Sequence, residues 1–309
     1  MNKSDDAATI SHTPNNGIKP TGHVLVGVDG SAAADLAVDL AADEALRRHT
    51  VLEVLHALEW VELGGAADRF GQQLRENARA VADNAAARAR LRHPELEVVA
   101  TVEIANAIDI LETVSDRAAL LVVGSRGLGG FAGLLMGSVS LPVAAAVRCP
   151  LLVVHPRHRA DEETSARTSI VVGVPDTECS PALEAAFAQA HARSLPLRAL
   201  HTWSYPAVAA FGAPFTAAPW LIEDTEAVAK ATLAAAVAPL REKYLDVHVT
   251  EEVVLDSAAH ALTAASADAE LVVLAAYRNT GRFGPNLGRV THTVLHHSKA
   301  PVLLVPVHA

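Results

Sequence analysis

The sequence is short of several features that mark out whole protein classes. It has only two cysteines, Cys149 and Cys179, one in each half and neither in a Cys-x-x-Cys pair. A disulfide framework is therefore excluded, and buried or inert thiols are expected. Aromatic residues make up only 4% of a chain that is half apolar and rich in alanine, a balance that suits Ala-rich helices packed on a Val/Leu sheet. Trp60, Trp203 and Trp220 are read as covers over core edges rather than as a stacking platform. There is no surplus of basic residues; the formal net charge is −10, which argues against a general nucleic-acid binder. Long hydrophobic runs are missing too. No stretch of roughly 18 charge-free apolar residues offers a membrane span. Residues 1–20 are polar and lack the apolar centre of a signal peptide, so a disordered tail on a cytoplasmic protein is expected.

What is present is a pattern that occurs twice. A length of 309 residues suggests two domains, each able to bury its own core. Short Val/Leu-rich strands at 23–28, 51–57, 96–104 and 120–123 alternate with helices, including a long one over 71–91. Such spacing makes βαβ units, hence a parallel sheet with right-handed crossovers. After a charged linker at 157–167 the pattern restarts, with strands at 169–174, 197–203, 247–255 and 271–275. Val-Gly-Val recurs at 26 and 172, Leu-His at 55 and 200, and Cys-Pro-Leu-Leu-Val-Val is answered by Ala-Pro-Val-Leu-Leu-Val. An internal repeat of one α/β domain follows, with units at 21–156 and 168–309.

The chain is organised around residues 119–154. There an apolar strand breaks into Gly124-Ser125-Arg126-Gly127, and nine residues later Gly137-Ser138 opens a helix. Pro142 is tolerated only in a first turn, so the helix is expected to begin at Ser138 or Val139 with Ser138 as its cap. Its unpaired N–H groups would face the glycine loop, an anion-binding arrangement. Backbone amides wrap a phosphate only where no Cβ obstructs them, which selects glycine. Ligands of parallel sheets sit beyond the carboxyl ends of the strands, where Asp29, Ala57 and the Gly124 loop all fall.

Gly-x-x-Gly, nine residues, then Gly-Ser, followed by a Cys-Pro-Leu-Leu-Val-Val strand, resembles the nucleotide loop of the universal stress protein family. Every fixed position is filled, by Gly124, Gly127, Gly137 and Ser138, and the likeness extends from about His23 to Val307. The resemblance implies an α/β fold of two tandem Rossmann-like domains of the adenine nucleotide alpha hydrolase-like type, each a five-stranded parallel sheet flanked by helices. It implies ATP as ligand, with Mg²⁺ as its accompanying ion. Carried onto this sequence, Val28 and Asp29 would lie at the adenosine end and the Ala57 backbone beside adenine, while Gly124, Ser125, Arg126, Gly127, Gly137, Ser138, Val139 and Ser140 would surround ribose and phosphates. One departure stands at Glu103-Ile104-Ala105-Asn106, where the family often carries glycine and proline. The last strands, 150–154 and 302–305, resemble the edge by which domains pair in this family, implying a pseudo-dimer within the chain and leaving room for a homodimer of chains.

The second half departs from the motif. Pro175 replaces Asp29, with Asp176 displaced by one, and on the loop Ala275, Arg278, Gly288 and Arg289 stand for Gly124, Gly127, Gly137 and Ser138. Side chains are expected to fill the phosphate space there, so that this half does not bind ATP in the family manner. A structural copy is favoured over an anion site built from Arg278, Arg282 and Arg289.

Other chemistries fit less well. Gly127-x-Gly129-x-x-Ala132 imitates a dinucleotide fingerprint but follows the fourth strand and lacks the acidic partner. No Gly-Lys-Ser/Thr makes a Walker A loop, and Val28-Asp29-Gly30-Ser31 has no aspartyl nucleophile at Gly27. His292 and His296 have a spacing that can hold zinc, but without an HExxH glutamate a solvated helix face is expected. Ser138 lacks a positioned base. The expectation is an ATP-binding stress-response regulator acting on an unidentified protein partner, with at most slow hydrolysis; the alternative is a scaffold of the same fold that has lost its nucleotide.

Overall fold

The computed structural model describes residues 22–59, 68–128, 136–155, 168–175, 181–204, 219–281 and 284–307. The tail, the linker at 157–167, Trp60, Gly129, Ala132, Asp176, Cys179 and Arg282 lie outside the described residues.

The first half runs β1 (His23–Gly27), α1 (Ala32–Arg47), β2 (Leu52–Ala57), α2 (Asp68–Arg92), β3 (Val98–Glu103), α3 (Ala107–Ser115), β4 (Ala118–Gly124), α4 (Ser140–Ala146) and β5 (Leu151–Val154). The second half repeats it as β6 (Ser169–Gly173), α5 (Pro181–Arg193), β7 (Leu197–Trp203), α6 (Pro219–Lys243), β8 (Val249–Leu255), α7 (Ala258–Ala265), β9 (Ala269–Gly281), β10 (Gly284–Leu287), α8 (Arg289–His297) and β11 (Val302–Val307).

All strands but β10 form one continuous path, β3-β2-β1-β4-β5-β11-β9-β6-β7-β8. Along this path the pairings within each half are parallel, β10 adds an antiparallel pairing to β9, and the halves meet where β5 and β11 run antiparallel, with Val153 opposite Val302 and Leu151 opposite Leu304. The intrachain pairing expected from the sequence is thus present at this seam.

Side chains alternate across the sheet because successive residues point to opposite faces. Val24, Val26, Leu120 and Val122 face a core closed by α1, α2, α5 and α6. Leu25, Leu121, Val123 and Val153 face a second core under α3, α4, α7 and α8. Both faces are covered, which is why these strands read as unbroken apolar runs. Each fully buried Leu or Val contributes roughly 1.5–3 kcal/mol of transfer free energy. Cys149 is a buried thiol, and Trp203 is buried at the end of β7.

A charged knot ties the halves on the first face. Glu44 of α1 accepts from Arg193 of α5 at 2.7 Å and from Gln189 at 3.1 Å, while Arg47 approaches the same carboxylate at 2.6 Å. Glu44 and Arg193 are both buried. Burial works to raise the Glu44 carboxyl, yet Arg193 and Arg47, helped by the Gln189 hydrogen bond and Arg48, hold the group below its ordinary value. On the other face His155, at the end of β5, donates through Nε2 to the carbonyl of Leu295 on α8 at 2.8 Å.

Candidate functional site

The end of β1 is drawn against β2 by two hydrogen bonds. The Val28 amide donates to the Leu55 carbonyl at 2.9 Å, and His56 Nδ1 donates to the Val28 carbonyl at 2.7 Å. Gly30 then turns with φ +83°, a conformation that favours glycine, and Ser31 caps α1 by accepting from the Ala34 amide.

That turn aims Asp29 at the glycine loop. Its carboxylate accepts from the Ser31 amide at 3.0 Å and from the Leu128 amide at 2.9 Å. The loop therefore closes over the acid, and a Cβ on Gly127 would collide with Asp29 Oδ2. Gly124 serves a different purpose: a Cβ there would stand 3.0 Å from the backbone of Ala33, so its bareness lets α1 pack on β4.

On the far side of the loop the sequence expectation needs correction. α4 begins at Ser140, with Val139 at the cap position and no side-chain cap; Ser138 lies in the turn before it and is exposed. The hydroxyl that organises this turn belongs to the buried Ser140, which accepts from the Gly137 amide at 3.2 Å and donates to the Ser125 carbonyl at 2.9 Å. The reason lies in Pro142: helices admit proline throughout the first turn, and starting at Ser140 lets Ser140 reach back to the strand. The Gly137 amide is likewise engaged, on the Ser125 carbonyl at 2.7 Å. The amides of Arg126, Gly127, Ser138, Val139 and Ser140 make no hydrogen bond among the described residues, so these are what the loop can offer an anion.

Together these pieces enclose a cavity of about 570 Å³ beyond the carboxyl ends of β1, β2 and β4. Val28, Asp29, Ala57, Gly124, Arg126, Gly127, Gly137, Ser138, Val139 and Ser140 all line it. Ser125 does not: it is wholly buried, and its Oγ has no partner among the described residues. Sequence reading missed Leu55, Ala107, Leu111 and Met136, which form apolar wall. The i, i+4 spacing of Ala107 and Leu111 on one helix face was their one available signal. The departure at Glu103–Asn106 has a local role, since Asn106 caps α3 by accepting from the Ile108 amide at 2.9 Å. Asp29 is the single acid and Arg126 the single cation among the described lining residues. Among the described residues no group of three or more His, Cys, Asp or Glu side chains could hold a metal ion. His292 and His296 stack at 4.5 Å between centroids instead, and His296 is half-buried rather than solvated.

The second half keeps part of this design. His201 Nδ1 donates to the Val174 carbonyl at 2.9 Å, repeating the His56–Val28 bond. The loop, however, has become sheet. Where β4 stops at Gly124, β9 continues past the equivalent Ala275 to Gly281, pairing Ala275 with Val305, Tyr277 with Val307, and Arg278 with Leu287 of β10. Ladder pairing draws in backbone that an open loop would turn toward a phosphate. A cavity of about 440 Å³ remains beside it.

A three-layer α/β chain built of two domains, each with a cavity beyond the carboxyl ends of its sheet, defines a tandem doubly wound protein. More specifically, the chain belongs to the universal stress protein family, whose model matches twice, over residues 20–155 and 167–306. It is 31% identical over 294 residues to universal stress protein Mb2028c of Mycobacterium bovis, covering 91% of this chain and 96% of that one. It is also 31% identical over 298 residues to universal stress protein Rv2623 of Mycobacterium tuberculosis, covering 91% and 95%. Among solved structures, a universal stress protein from Archaeoglobus fulgidus shares the fold, with a TM-score of 0.66 at 17% identity over 94% of this chain and 99% of that one. Among the described residues no helix is long and apolar enough to cross a membrane.

Proposed function

We propose that the first domain binds ATP and that its occupancy regulates the association of this cytoplasmic protein with a partner in the stress response. The observation that carries the reading is the Asp29–Leu128 closure: the glycine loop is held by a carboxylate, with a bare Gly127 leaving that carboxylate its room, over a cavity of about 570 Å³. In this reading the apolar wall of Leu55, Leu111 and Met136 takes the base. Phosphates meet the unengaged amides of Arg126, Gly127, Ser138, Val139 and Ser140, with the Arg126 guanidinium and the Ser138 hydroxyl beside them. Mg²⁺ would arrive on the phosphates, because the described lining offers it only Asp29, whose oxygens already accept two amides. Among the described lining residues no side chain is placed as a base for water, and in this reading hydrolysis is at most slow.

A scaffold without nucleotide is the second reading, favoured by the way the second domain has exchanged its loop for a hairpin. Mass spectrometry of nucleotide retained by the purified protein, followed by thermal unfolding with ATP and Mg²⁺, separates the two. ATP at 100 times its Kd should stabilise the native state by about 2.7 kcal/mol. An unchanged transition in millimolar ATP would favour the scaffold.

A further inference from the structure

The second cavity differs from the first in what it can attract. Its described walls are mostly apolar, with Val174, Leu200, Leu262 and Leu274 prominent. The acid of the first site is gone, replaced by Pro175, and no carboxylate stands among the described lining residues. The charged group that remains there is Arg289, the first residue of α8, exposed and without an ion pair or hydrogen bond among the described residues. A cation in the first turn opposes the helix dipole, whose amino end is positive, unless an anion lies beside both. Above Gly288 no described atom lies within 4 Å of where a Cβ would be, so the space next to Arg289 is open.

Polar equipment deeper in the cavity is slight but placed. Thr291 is only 6% exposed, lines the cavity, and makes no side-chain hydrogen bond among the described residues. Its hydroxyl can donate to, or accept from, a ligand group seated beside it. Thr202 also lines the cavity and is likewise without a side-chain partner there. Against this, the backbone that would cradle several phosphates has been drawn into the β9–β10 and β9–β11 pairings.

We propose that the second domain binds a compact, largely apolar monoanion, a carboxylic acid with an aromatic or alicyclic body, whose carboxylate pairs with Arg289 while its body fills the cavity under Val174, Leu262 and Leu274. Arginine suits this task because its planar fork meets a carboxylate through two hydrogen bonds. One charge is matched, and the apolar walls take the rest. The site is independent of nucleotide at the first domain.

The test uses the full chain, with 1-naphthylacetate as probe and the neutral 1-naphthylacetamide as its isostere, in isothermal titration. The acid should bind at least tenfold more tightly than the amide, and R289Q should abolish that preference while leaving the fold intact by circular dichroism. Protein-observed NMR should place the perturbed resonances at Thr291 and Leu274. G127A, which alters only the first cavity, should leave probe binding unchanged. No binding of the acid at millimolar concentration, equal affinity for acid and amide, a preference that survives R289Q, or loss of the probe in G127A would each overturn the proposal. Failure of ATP to bind the first domain leaves every one of these readouts as it stands, so the two readings fail separately.

Discussion

The Asp29 carboxylate and the Leu128 amide, 99 residues apart in sequence, are joined at 2.9 Å, and this bond closes the glycine loop on the end of the first strand. Replacing Asp29 by alanine releases the loop and frees the Ser31 amide as well. Because the acid is half-buried and Leu128 exposed, the loss of global stability should be only about 1 kcal/mol. ATP affinity, which depends on loop geometry, should fall by at least tenfold in titration calorimetry. An affinity equal to that of the unmodified protein would show that the closure has no part in binding.

Two glycines of the same motif should answer alanine substitution differently. G124A pushes a methyl to 3.0 Å from the Ala33 backbone on α1, which cannot yield without moving a helix. It should cost roughly 1–3 kcal/mol in urea unfolding. G127A meets only the Asp29 side chain, which can rotate away by abandoning Leu128. Its midpoint should stay close to that of the parent while ATP binding weakens. Equal stability losses in the two variants would contradict this division.

Much of this was legible in the sequence. The duplicated βα pattern, the parallel sheet, and most of the loop residues lining the first cavity follow from short apolar runs, turn glycines and the repeat itself. Two things were not. Ser125 read as a residue of the ligand site and Ser138 as the helix cap, but sidedness in a loop is decided by which residue the neighbouring strand and helix can bury; Ser125 went inward, and Ser140 took the organising role. In the second half β9 is prolonged past Ala275 by pairing first with β11 and then with β10, so the loop was taken into the sheet. The continuation as far as Tyr277 depends on a partner far along the chain, β11, which no local pattern reveals; beyond it β9 pairs with the nearby β10.

The Glu44–Arg193 pair at the seam should behave asymmetrically. E44Q leaves a buried guanidinium facing a neutral amide, and should cost roughly 3–5 kcal/mol in equilibrium unfolding. The double variant E44L/R193M removes both charges and should recover most of that loss. A double variant no more stable than E44Q would mean that the pair itself, rather than the orphaned charge, supplies the stability.

Acid sensitivity should originate at His155. Burial pulls its pKa below the ordinary value of about 6.5, only partly opposed by backbone hydrogen bonds, with Arg126 and His296 adding repulsion. The unfolded chain therefore takes up a proton at higher pH than the folded one. Its contribution is complete above about pH 6.5 and is lost as pH falls below that value toward the folded pKa. His296, lowered by burial and by His292 and His297, acts in the same sense, whereas the exposed His260, raised by Asp256, acts in the opposite one. Comparing H155Q with the parent isolates the first of these. The fall in Tm between pH 7.5 and 5.5 should be smaller in H155Q; an identical fall would assign the sensitivity elsewhere.

The antiparallel meeting of β5 and β11 makes a two-body association unimolecular. A covalent tether holds its ends at an effective concentration on the order of millimolar, so dilution to nanomolar levels does not separate the halves. Their compartments therefore stay in one-to-one proportion at any expression level. Whatever occupies one is delivered together with whatever occupies the other.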